Sequence, residues 1–323
     1  MIQFPKCTFA EMIDRNLRIV FMGTPGFAVA SLKYLLQAGY QVVGVITAPD
    51  KAGGRGMKQV ISSPVKQFAD EHRLHLLQPA NLKSRSFTEA LRSLHADLQV
   101  VVAFRMLPEV IWNMPPKGTM NLHGSLLPAF RGAAPIHWAV IRGETMTGVT
   151  TFMLNREIDT GMILLQREIP ILDDDDTGVL HDRMMNIGAS LVVASVDLIC
   201  KGNITLAPQD ETKASFAPKI HHEDGKILWN LSKRAVYNLI RGMSPHPGAW
   251  TTLDGIECKL WKARIYSSDR TAKPGTIRLE GKSLIVQVGD GEIEIVELQL
   301  AGKRKMKAQD FINGYKIRDW SLT

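Results

Sequence analysis

The 323-residue chain is poor in cysteine, with only Cys7, Cys200 and Cys258. Their number is odd, their spacing is wide and no CxxC occurs, so neither a disulfide framework nor a thiolate zinc site is indicated. A reducing, cytoplasmic setting is expected. Long hydrophobic runs are also missing. No stretch approaches the ~20 continuous apolar residues of a bilayer span, which argues against an integral membrane protein. Residues 1–16 lack the apolar core of a signal peptide and read as a flexible arm ahead of the first strand. A dinucleotide fingerprint is absent too. The first turn, Gly23-Thr-Pro-Gly26, gives G-x-x-G, and the second strand ends Ile46-Thr47-Ala48 with no acidic residue.

What is present is an ordinary globular composition, 45% hydrophobic and 22% charged, at a length that suggests two domains. The net charge of +7 is unevenly placed. Residues 1–212 carry 20 basic and 20 acidic side chains, whereas residues 213–323 carry 19 and 12. A neutral domain followed by one that attracts polyanions fits this split.

The first half alternates apolar runs with helical spacing. Leu17–Met22, Gln41–Ile46, Leu74–Leu77 and Leu98–Ala103 read as strands. Phe27–Ala38, Val65–His72 and Phe87–Leu94 read as helices between them. Fully apolar strands separated by helices predict a mostly parallel, Rossmann-like α/β sheet covered on both faces. In such a sheet the site lies beyond the carboxyl ends of the strands. Gly148–Leu154 and Met162–Ile169 predict a hairpin through the Asp159–Gly161 turn. The acidic run Asp173–Asp176 reads as a helix start, with Asp176 or Thr177 as N-cap, and not as a metal site. Leu206–Asp224 reads as a linker. Beyond it, a short helix at Ser232–Arg241 precedes five short strands between Ala249 and Leu300. These predict a smaller, OB-like β-barrel domain.

The densest chemical signal is Asn121-Leu-His123-Gly-Ser125-Leu-Leu-Pro128. In extended chain, residues two apart point to the same side. An amide and an imidazole so placed can give two hydrogen bonds to one oxygen, as a tetrahedral acyl-transfer intermediate requires. His137, His181, His221 and His222 read as structural or linker residues.

The Asn121–Pro128 motif is followed by Arg131-Gly-Ala-Ala-Pro135 and by Ile158-Asp159-Thr-Gly161. Together they resemble the formyltransferase family that uses 10-formyltetrahydrofolate. Further segments are similar to its methionyl-tRNA-directed branch: Phe21-Met-Gly-Thr-Pro25, Pro49–Gly56, Ser63–Lys66, Ile227–Asn230, Pro245–Trp250 and Ala301–Met306. The resemblance runs from about residue 17 to the end. Two places depart from it: Arg105 stands where Gly is common, and Gly26 and Ala30 stand where Glu and Pro are usual.

The resemblance implies transfer of a formyl group from 10-formyltetrahydrofolate to the α-amino group of initiator methionyl-tRNA, without a metal. It implies that Asn121 holds the oxyanion, that His123 stabilises it, and that Asp159 supports the imidazole and relays a proton. It places folate against Phe104, Arg105, Met106 and Leu107 and beside Ser125, Leu126, Leu127 and Pro128. It assigns tRNA contacts to Arg55 and Lys58 in the loop Lys51–Lys58, and to the basic run Lys303, Arg304 and Lys305. The expected organisation is an arm (1–16), a catalytic domain (17–205), a linker (206–224) and a tRNA-binding barrel domain (225–323), acting as a monomer. The alternatives are a formyltransferase acting on an amino sugar nucleotide and a noncatalytic RNA-binding module. The first has no need of Arg55 or of a basic barrel. The presence of Asn121, His123 and Asp159 together argues against the second.

Overall fold

Strand β1 (Arg18–Gly23) is buried almost throughout, as its unbroken apolar run requires. The computed structural model describes residues 15–53, 59–202, 204–266, 272–315 and Leu322. After β1 come α1 (Gly26–Gln37), β2 (Gln41–Ile46), β3 (Lys51–Gly53), β4 (Gln59–Ile61), α2 (Pro64–Glu71), β5 (Leu76–Leu77), α3 (Arg85–Ser93), β6 (Leu98–Val102), α4 (Glu109–Trp112) and β7 (Thr119–His123). Then follow α5 (Pro135–Ile141), β8 (Met146–Met153), β9 (Ile163–Pro170), α6 (Thr177–Lys201) and α7 (Lys233–Gly242). The chain closes with β10 (Ala249–Leu253), β11 (Ile256–Tyr266), β12 (Ile277–Glu280), β13 (Ser283–Val288), β14 (Gly291–Leu300), β15 (Met306–Lys307) and α8 (Ala308–Gly314).

Helix starts follow local chemistry. Ser63 caps α2 by accepting from Lys66 N at 3.0 Å, with Pro64 next to it in the first turn. Ser232 caps α7 through Ala235 N at 3.2 Å, and Asp176 accepts from Val179 N at 2.8 Å at the start of α6.

Two compact units divide the chain. One comprises Met1–His123, Val149–Arg167 and Met185–Gln209, and the other Gly124–Gly148, Glu168–Met184 and Asp210–Thr323. The first holds the large sheet, ordered β5-β2-β1-β6-β7-β8-β9. The pairs β2·β5, β1·β2, β1·β6 and β6·β7 are parallel, and β7·β8 is antiparallel. The chain moves outward from β1 to β2 and β5, then returns to β6 on the other side of β1. This reversal makes the carboxyl ends of β1 and β6 a topological switch point, where open α/β sheets bind ligands.

Helix α6 is the one described helix long and apolar enough to cross a membrane. Its apolar character belongs to a core: Val192, Val196 and Ile199 are buried, and Ser195 Oγ lies 2.6 Å from Thr151 Oγ1 on β8.

The second unit holds an antiparallel sheet ordered β10-β11-β14-β13-β12, with β15 on β14. The strand path runs from β10 to β12, with no closing pair among the described residues. Two-residue turns set the register. Leu253 pairs with Ile256 across Asp254-Gly255, both at positive φ (48° and 77°), as a primed hairpin turn demands. Its core gathers Ile227, Trp229, Ile240, Val286, Ile295 and Phe311. The carboxylates of the acidic run are occupied here. Asp175 pairs with Arg183, Asp173 with Arg234, and Asp174 accepts from the Tyr237 hydroxyl. The stretch expected as a linker also has fixed partners. Arg131 N donates to Ser215 O at 2.8 Å, Ala217 N donates to Arg131 O at 2.7 Å, and the Arg131 guanidinium grips Glu211 in a bidentate pair. Gly132 lies at φ +121°, and a Cβ on it would stand 2.6 Å from Ala217 O.

Candidate active site

Asn121 and His123 lie on β7. Asn121 pairs with Val101 on β6 and Phe152 on β8, and His123 pairs with Thr150. Strand pleating puts both side chains on one face. The strand delivers them at its carboxyl end, beside the end of β6 at Val102. This is the place that sheet topology selects for a ligand.

Asp159 comes from the loop between β8 and β9. Its Oδ2 stands 3.7 Å from His123 Nδ1, with side chains 11% and 7% exposed. That separation exceeds a direct hydrogen bond and suits an ion pair or one bridging water. With Nδ1 facing the carboxylate, Nε2 is the ring nitrogen turned away from it. Asp159 is held at φ 56°, a left-handed conformation in which Asp is one of the few tolerated side chains. Two residues on, Gly161 admits no side chain, since a Cβ there would stand 1.7 Å from Met153 O.

Asn121 Oδ1 is buried and has no hydrogen-bond partner among the described residues. A buried orphan acceptor costs about 1–3 kcal/mol, and its persistence calls for a reason. An amide kept ready for a ligand supplies one. The wall therefore offers an amide, an imidazole and a carboxylate, a set able to stabilise an oxyanion and move one proton.

The segment after β6 turns at Ala103, which has φ 47°. Leu107 is buried in the core with Val101 and Met22, Phe104 packs partly against it, and Met106 is 73% exposed. Arg105 lies over the Phe104 ring at 5.6 Å and donates to the carbonyls of Pro79 and Ala80. In this state its guanidinium ties two loops together. In the second unit Ser125 is fully buried and donates to Ala129 O at 2.5 Å, and Leu127 is buried. Leu126 and Pro128 are partly buried. Among the described residues, no cluster of three or more His, Cys, Asp or Glu side chains is arranged to hold a metal.

A family described as formyl transferase matches residues 17–196, and its C-terminal domain matches residues 219–316. The methionyl-tRNA formyltransferase of Bacteroides fragilis is 49% identical over 318 residues, covering 95% of this chain and 98% of the relative. That of Parabacteroides distasonis is 50% identical, covering 94% and 98%. The chain belongs to the formyl transferase family.

Two solved structures carry the same fold as this formyl transferase. The N-formyltransferase of Helicobacter canadensis, complexed with folinic acid and dTDP-3-aminofucose, superposes with a TM-score of 0.67 at 19% identity. It covers 86% of this chain and 98% of its own. HypX of Aquifex aeolicus with tetrahydrofolic acid gives 0.65 at 17%, covering 95% and 50%.

Of the basic residues that the family resemblance singled out, Lys303, Arg304 and Lys305 are exposed between β14 and β15. Lys305 pairs with Glu297 at 2.5 Å and lies 5.8 Å over the Trp261 ring. Lys303 and Arg304 have no carboxylate partner among the described residues. Arg55 and Lys58 lie outside the described residues. The formyl transferase frames them with an antiparallel pair, β3 and β4, in which Gly53 opposes Gln59. Lys66, part of the Ser63–Lys66 motif, bonds Asp50 at 2.5 Å and so anchors the base of that pair. Its ammonium holds the Asp50 carboxyl below the usual carboxylate range. Sequence reasoning missed the contact of Glu211 with Arg131 and that of the Gln209 amide with the carbonyls of Asp159 and Gly161, because both residues fall in a stretch whose composition signals only a linker.

Proposed function

We propose that this chain transfers the formyl group of 10-formyltetrahydrofolate to the α-amino group of initiator methionyl-tRNA, giving N-formylmethionyl-tRNA. The observation that carries the catalytic part is the Asn121, His123 and Asp159 set at the carboxyl end of the sheet, with the Asp159 carboxylate 3.7 Å from the His123 imidazole. Near-full-length relatives at about half identity that bear the name methionyl-tRNA formyltransferase support the substrate. The basic excess of residues 213–323 supports it too.

The folate supplies the formyl carbon. Asn121 and His123 donate to the oxygen on which negative charge develops. Asp159 keeps the imidazole oriented and relays one proton. The incoming amine needs little activation, since peptide α-amino groups titrate near ~7.7–8.0 and part of the population is neutral in the cytoplasm. The loop 103–107 offers folate apolar surface and backbone groups, and Ser125–Pro128 is the other segment to which the family resemblance assigns folate contacts. Arg55, Lys58, Lys303 and Arg304 meet the tRNA, and the chain acts as a cytoplasmic monomer with a catalytic domain over 17–205 and an RNA-binding domain over 225–323.

The test is incubation with 10-formyltetrahydrofolate and charged initiator tRNA, with charged elongator tRNA and a dTDP-amino sugar as controls. Formylation of initiator methionyl-tRNA alone is expected. Formylation of the amino sugar instead, or of no acceptor, overturns the reading.

A further inference from the structure

The loop that presents Asp159 does not hold its shape through its own backbone preference. Asp159 is at φ 56°, and the loop is bracketed by two side chains. From within, Asn155 Oδ1 accepts from Glu157 N at 3.1 Å and from Thr160 Oγ1 at 3.0 Å. From outside, Gln209 Nε2 donates to Asp159 O at 2.9 Å and to Gly161 O at 2.8 Å. Gln209 is itself placed by an antiparallel bridge: Ile163 N donates to Ala207 O at 2.8 Å, and Ala207 N donates to Ile163 O at 3.0 Å. The only residue between the two clamped carbonyls is Thr160. Gly161 is already pressed against the Met153 carbonyl and leaves the loop no slack on that side.

We propose that Gln209 is a positioning residue that aims the Asp159 carboxylate at His123 by holding the carbonyls of Asp159 and Gly161. It touches no reacting atom and acts only through Asp159. This inference rests on the formyl-transfer reading above. Orientation of a catalytic group by about an ångström is worth up to ~10²-fold in rate. The loss therefore falls on kcat, with substrate affinity left in place.

Steady-state kinetics of the full chain test this with Gln209→Leu, Gln209→Glu, Asp159→Ala and the double variant Asp159→Ala/Gln209→Leu. Gln209→Leu is expected to lower kcat about ten- to a hundredfold while KM for folate and for charged tRNA moves less than about twofold. Gln209→Glu keeps the size and loses both donors, and is expected to match it. In the Asp159→Ala background, Gln209→Leu is expected to change nothing further. A near wild-type kcat, a loss confined to KM, or an equal additional loss in the double variant overturns the proposal. So does failure of both Gln209 variants to fold, which would make the side chain a determinant of the fold. If the wild-type chain does not formylate charged tRNA, the functional reading fails. If it does and Gln209→Leu equals it, this inference alone fails.

Discussion

His123 Nδ1 stands 3.7 Å from Asp159 Oδ2, although the two residues are 36 positions apart and come from a strand and a loop. The sheet brings β7 and β8 side by side, and the loop after β8 folds back so that its carboxylate meets the imidazole. Both side chains are almost fully buried, so their interaction is poorly screened.

His123→Ala is expected to lower kcat for formyl transfer about 10²–10³-fold, the range for loss of an oxyanion donor. Asp159→Asn keeps the shape and removes the charge, and is expected to cost about 10²–10⁴-fold. Rapid-quench formylation assays with saturating tRNA and folate measure both. Near wild-type rates in either variant would remove that residue from the mechanism.

Asn121→Ala separates function from stability. Its expected kcat loss is about 10²–10³-fold. Its thermal midpoint is expected to stay at or above that of the wild type, because the substitution deletes a buried acceptor that has no partner. Calorimetry beside the activity assay checks this. A large drop in midpoint would show that the amide is a structural group.

Lys303→Ala/Arg304→Ala is expected to weaken tRNA binding and to flatten its salt dependence, by about 0.7–0.9 in slope for each phosphate that is no longer neutralised. Filter binding across a salt series reads the slope. Point substitutions serve better than cutting the chain near residue 208. Such a cut also removes Glu211, Ser215 and Ala217, which pair with Arg131 in the same unit. An unchanged slope would free the β14–β15 loop of any role in holding phosphates.

Asp175 makes acid stability testable. Burial pushes its carboxyl up, but the Arg183 hydrogen bond and the Leu172 backbone bond outweigh this and hold it below the usual carboxylate range. A lowered folded-state value contributes stability above the unfolded pKa, near ~3.9, and that stability is lost as pH falls through the folded value. Arg183→Ala is expected to destabilise by about 3 kcal/mol near neutrality, the low end for breaking a buried pair, since Arg183 is partly exposed. The deficit should shrink as pH falls below about 4. Urea unfolding at several pH values checks it, and a pH-independent deficit would show that Arg183 acts through packing alone.

Element types were legible wherever the hydrophobic period was long. Strand Gln41–Ile46 has the bounds that its residue pattern predicted. The α6 start, expected at Asp176 or Thr177 from capping chemistry, has Asp176 accepting from Val179 N. Short elements were not legible: β3, β4, β15 and the seven-residue α8 carry too few residues for a period to show. The fully buried Phe311 of α8 gains its meaning only from the sheet that it packs against.

The site divides in the same way. The sequence alone determined the parallel sheet, the shared face of Asn121 and His123, and the family motifs around them, because these depend on periods of two and on local order. Three things needed the tertiary structure: the Asp159 loop, the Arg131–Glu211 pair and the Gln209 clamp, whose partners lie 36, 80 and 50 positions apart in the chain. No local propensity encodes such a pair. Only the folded chain, by pairing β7 with β8 and by laying residues 207–217 along fixed backbone partners, decides which polar groups meet.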